Sequence, residues 1–72
     1  MYDMNERINY LEETVAQLKK ELRRIKSTVN KVEKLGLIPP TELIIKKENI
    51  EVQLKEFKEE LKIYKKIAEI IK

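Results

Sequence analysis

The stretch KLGLIPPTE, Lys34 to Glu42, contains the single glycine and both prolines of a 72-residue chain. As a flexible linker it would join two independent rods; as a turn it folds one pattern back on itself. The flanking residues decide between these. Upstream, apolar side chains recur at Met4, Ile8, Leu11, Val15, Leu18, Leu22, Ile25, Val29 and Val32, in alternating steps of four and three. Such a stripe is a heptad repeat, with Ile8, Val15, Leu22 and Val29 at a and the others at d. Downstream the rhythm resumes at Leu43 and continues through Ile50, Leu54, Phe57, Leu61, Tyr64, Ala68 and Ile71, broken only by Lys47. A connection of about six residues between stripes of equal length lies within the range usual for antiparallel helices, and its prolines stiffen it. The stretch is therefore read as a turn.

The expected fold is all-α, a single domain over residues 1–72. Its helices cover about 3–35 and 41–71, the turn covers 36–41, and the helices form an antiparallel coiled-coil hairpin. Asp3 followed by Glu6 resembles a capping box at the first helix start. Lys34 places a cation near the negative end of that helix, and Gly36 can take the left-handed conformation that closes it. Thr41 is expected as N-cap of the second helix, with Pro40 as an alternative first helical residue. Two registers match a to d positions. One sets Val15 opposite Tyr64, Leu22 opposite Phe57 and Val29 opposite Ile50. The other, shifted by a heptad, offers better charge pairs, Glu12 with Lys58 and Lys19 with Glu51, but a longer turn. Exposed ion pairs contribute about 0–1 kcal/mol, less than burying an aliphatic layer, so the first register is expected. Lys47 should lay its stem over the seam and extend its ammonium to solvent.

Composition narrows the function. A core this small supplies only about 3–5 kcal/mol, and without cysteine or histidine neither a disulfide nor a zinc site can reinforce it. Oligomerisation, or docking on a larger protein, remains. The same absences, with one serine and no glycine-rich phosphate loop, leave poor material for catalysis, so no enzyme, cofactor or metal is expected. No apolar run approaches the roughly 18 residues of a membrane span, and no signal-like succession opens the chain. A soluble, cytoplasmic protein that makes no membrane contact is the expectation.

Apolar residues beyond the seam point to association. Ile63, Ile67 and Ile70 recur on a second face, with Ile71 beside them; together with Tyr2 and Tyr10 they gather where the hairpin is open. Such a patch marks partner binding, either pairing two hairpins into a four-helix bundle or docking the hairpin on a larger protein. Ile44, Ile45 and Val52 also lie off the stripe. Leu37 and Ile38 in the turn are expected to plug the end of the helix pair, or else to protrude as a contact for a partner. A net charge of +3 from interspersed charges is mild. Nevertheless Lys19, Lys20, Arg23, Arg24 and Lys31 form a basic cluster that could hold nucleic acid nonspecifically, the second reading of the chain.

Dominated by Lys, Glu and Ile, the composition is that of proteins working at high temperature. In composition the chain resembles the small helical hairpins of thermophilic archaea, some of which are accessory subunits of polymerases or chaperone assemblies. That resemblance implies a non-enzymatic accessory subunit or homo-oligomeric scaffold in a replication, transcription or chaperone assembly. Prefoldin subunits also use antiparallel coiled coils, but the β-hairpins joining their helices have no counterpart here.

Overall fold

A computed structural model of the chain describes residues 3–71. Two helices account for nearly all of them, α1 (Met4–Lys34) and α2 (Thr41–Ile70), packed side by side in a rod of 55 × 19 × 15 Å. Among the described residues there is no strand. The helices run in opposite directions, because Arg7 pairs with Glu60 at 2.6 Å whereas Glu21, farther along α1, pairs with the earlier Lys46 at 3.5 Å.

Each end of α1 is closed as its residues dictate. Asp3, in extended conformation, accepts from the N–H groups of Asn5 (2.9 Å) and Glu6 (3.4 Å), satisfying donors that have no partner within the helix. At the other end the N–H of Leu37 donates to the Val32 carbonyl (3.1 Å) and that of Gly36 to the Glu33 carbonyl (2.9 Å). This pair of bonds is a Schellman motif, and it requires the left-handed φ of +77° that Gly36 adopts.

The start of α2 differs from expectation. Pro40 occupies the N-cap position, Thr41 is the first helical residue, and no side chain caps the helix. The Pro40 carbonyl accepts from Leu43 (3.0 Å) and Ile44 (3.3 Å) instead. Ile38, restricted to extended conformations by the proline that follows, is 93% exposed, and Leu37 is exposed as well. The expectation that these two plug the helix pair is thus overturned. They protrude.

The register also differs from the one expected. In that register the partners in Arg7–Glu60 and Glu21–Lys46 would be staggered by about 18 Å along the axis, beyond the reach of their side chains. Shifting α2 by one heptad reduces each stagger to about 7.5 Å. Independently, Leu43 packs against the buried cluster of Ile25, Val29 and Ile50, which it could not reach if Val29 stood opposite Ile50. The seam therefore faces Val29 with Leu43, Leu22 with Ile50, Leu18 with Leu54 and Val15 with Phe57. The turn explains the shift. Ile38–Pro40 carries the chain across to the neighbouring helix, so that α2 starts level with a point about one helical turn before the end of α1.

Leu11, Val15, Ile25, Val29, Ile50 and Leu54 are the buried core, and Leu11 is wholly enclosed. Remaining stripe residues are half-buried, as a seam between only two helices must leave them, except Ile71, which ends α2 exposed. Ile44, although off the stripe, packs against the core cluster, whereas Ile45 and Val52 lie exposed. Lys47 behaves as its position implies: half-buried at the seam, it reaches with its ammonium to Glu51 at 3.8 Å.

Candidate interaction surfaces

The two flanks of the seam are chemically different. One flank carries the residues at g and c of the heptads. Arg7 and Glu60, both at g, form its ion pair near the open end, and the Arg7 guanidinium lies 5.3 Å from the centroid of the Tyr10 ring. Arginine is thus shared between an aromatic face and a carboxylate, which holds Tyr10 at the edge of the seam. Along α2 from Glu60, Ile63 (59% exposed), Ile67 (39%) and Ile70 (75%) follow at helical spacing on this same flank. Ile71, also exposed, closes the row at the helix terminus. The structure therefore brings Tyr10 of α1 and Ile63, Ile67 and Ile70 of α2 to one side of the open end, where the sequence expected them. Tyr2, the remaining candidate, lies outside the described residues.

Beyond the open end, the same flank is polar. Gln17, Glu21, Arg24, Lys46, Gln53 and Glu56 follow toward the turn, and Glu21 is committed to Lys46. A four-helix bundle pairing along the whole length of this flank would bury these groups, whereas contact limited to the open end covers the isoleucine row and Tyr10 beside the already paired Arg7 and Glu60.

The opposite flank carries the e and b positions, where Lys19, Arg23, Lys26, Lys55, Lys58, Lys62 and Lys65 gather in the middle and Glu12, Glu33, Glu48, Glu51 and Glu69 lie among and beyond them. A shallow groove of about 630 Å³ along it is lined by Lys19 of α1 and by Lys58, Lys62, Lys65, Lys66 and Glu69 of α2, around the seam residues Val15 and Leu61. Neighbouring hollows bring Arg23 and Lys26 together with Lys19, and Lys55 and Glu51 together with Lys58. Only part of the expected basic cluster is gathered here. Lys19 lines this groove and Arg23 the hollow next to it; Lys20 lies on the outer face of α1, and Arg24 and Lys31 fall on the apolar flank, about 100° per residue separating neighbours around the helix. The lysines of α2 that complete the groove were visible in the sequence as a 3–4 spaced row, Lys55, Lys58, Lys62 and Lys65. What the sequence did not show was which α1 residues face them, since that depends on register.

A third surface is the turn, where Leu35, Leu37 and Ile38 are all exposed. Among the described residues no group of three or more acidic side chains is placed to hold a metal ion, and no helix is long and apolar enough to cross a membrane. Compared with models of known families, with curated proteins and with solved structures, the chain matches none.

Proposed function

We propose that this hairpin is a non-enzymatic association module that meets its partner, a second copy or a larger protein, through the open end. The observation that carries the reading is the row of Ile63, Ile67 and Ile70, exposed beside Tyr10 and the Arg7–Glu60 pair. Isolated exposed apolar residues are ordinary on any protein, but a contiguous group rimmed by an ion pair is the usual anatomy of a contact surface. A core of six buried side chains gives further support, because a domain this thin gains stability from whatever it binds. The polar remainder of the flank favours overlap at the open end over a full-length four-helix bundle. The Lys-, Glu- and Ile-rich composition supports a setting among accessory subunits of thermophilic archaeal replication, transcription or chaperone assemblies.

Ile63→Asp and Ile70→Asp test the reading. Both positions are exposed, so the protomer itself should remain helical, and its melting temperature should fall only by the stability that association supplies. Each substitution should nevertheless place a charge in the contact and dissociate the assembly, read as mass by light scattering or as loss of a partner co-purified by the unaltered chain. Variants that keep the mass and the partner of the unaltered protein would refute it.

A further inference from the structure

We infer that the basic flank is a second, separate binding surface, one that takes the phosphate backbone of a nucleic-acid duplex without regard to sequence. It involves neither Tyr10 nor the isoleucine row and does not depend on the open-end reading. Lys19 and Lys58, from different helices, line one groove together with Lys62 and Lys65; Arg23 and Lys26 extend the row toward the turn. From Lys26 to Lys66 the strip runs about 30 Å along the axis at 1.5 Å per residue, in two rows about 8–10 Å apart. Among the described residues, Lys19, Arg23, Lys26, Lys55, Lys58 and Lys62 have no carboxylate within ion-pair distance, and Lys65 has only Glu12 at 4.0 Å. Packing like charges across a seam opposes folding, and an anion laid along the strip relieves that repulsion.

The rest of the flank selects the anion. Of the seam residues under the groove and its neighbouring hollow, Val15 and Leu54 are buried and Leu61 is half-buried, and every exposed large apolar side chain of the described residues lies on the other flank, the outer back of α2, the turn or the end of α2. An amphipathic helix of a partner would gain little apolar contact here, and a lipid surface would find no side chain to insert. No exposed aromatic of the described residues lies on this flank either, so it lacks the stacking platform that single strands use. A narrow double row of cations matches instead the line of charge on a duplex, one phosphate per ~1.7 Å of axis.

The test is fluorescence anisotropy of the full chain with a labelled 30-base-pair mixed-sequence DNA duplex, titrated between 50 and 200 mM salt. Expected is binding at 50 mM that falls steeply with salt and is unchanged by a second, unrelated sequence. Lys19→Gln, Lys58→Gln and Lys62→Gln combined should weaken it at least tenfold and lower the log–log salt slope by about 0.9 per lysine. Arg24→Gln with Lys31→Gln, on the other flank, should change affinity less than threefold. Circular dichroism should show both sets of variants as helical as the unaltered chain. Absence of binding at 50 mM, or equal losses from the two sets, overturns the inference. So does tighter binding of a 30-base thymidine strand or of phosphatidylserine vesicles than of the duplex.

Discussion

Replacing Gly36 by alanine isolates one backbone angle. Gly36 has φ of +77°, and a Cβ built there meets nothing within 4 Å, so the substitution introduces no clash and removes no packing. The expected cost is therefore conformational alone: about 1–2 kcal/mol for holding an L-residue with a Cβ in the left-handed region. Against the ~3–5 kcal/mol that a core of this size supplies, that is a large fraction. It corresponds to a fall in melting temperature of roughly 4–8 °C per kcal/mol for so short a chain. Urea unfolding followed by circular dichroism at one fixed protomer concentration reads the effect as a lower midpoint with unchanged slope. Gly36→Asn supplies the control, because asparagine enters the left-handed region more readily and should recover part of the loss. An alanine variant with the midpoint of the unaltered chain would refute the account of the turn, as would asparagine and alanine variants destabilised alike.

Two further expectations concern the seam. Leu11→Ala removes the one wholly enclosed side chain among the described residues and should cost about 2–5 kcal/mol, enough to leave the isolated chain largely unfolded at 25 °C by circular dichroism; a variant melting within a few degrees of the original would show that the burial contributes little. The register is checked by oxidative cross-linking: Val15→Cys with Phe57→Cys should form an intrachain disulfide readily, whereas Val15→Cys with Tyr64→Cys, about 10 Å out of step along the axis, should not, as mass spectrometry of the oxidised chains will show.

Much of this architecture is legible in the sequence because it is written in spacing. Steps of four and three define the seam, a glycine followed by two prolines defines the reversal, and Asp3 announces a helix start that its hydrogen bonds to Asn5 and Glu6 bear out. Register escaped for a specific reason. A heptad pattern is unchanged by a shift of seven, so both registers pair a with d, and the choice falls to the turn and to charges at the seam's edge. The charges weighed for it were neighbours nearly level with one another. Arg7–Glu60 and Glu21–Lys46 reach diagonally across about 7.5 Å of axial offset, which long side chains can span. That one displacement propagates to the surfaces: the isoleucine row lies within a single helix, so its spacing and exposure follow from that helix alone, whereas the basic groove is shared between helices and could be completed only once their alignment was known. The turn failed differently. Apolarity argued that Leu37 and Ile38 would be covered, but the proline after Ile38 fixes the backbone first and leaves nothing for the side chain to pack against.

The Gly36 closure sets a direction for folding as well as a shape. Ile25 and Val29 meet Leu43 and Ile50 through the shortest loop the chain can make, so their contact carries the smallest loop-closure entropy and is the natural starting point for pairing. From there the seam zips outward, and the segment holding Tyr10, Ile63 and Ile67 joins last. By the same token it separates first when the molecule breathes, so a partner gripping that end would act as a clasp, slowing the unzipping of the whole rod.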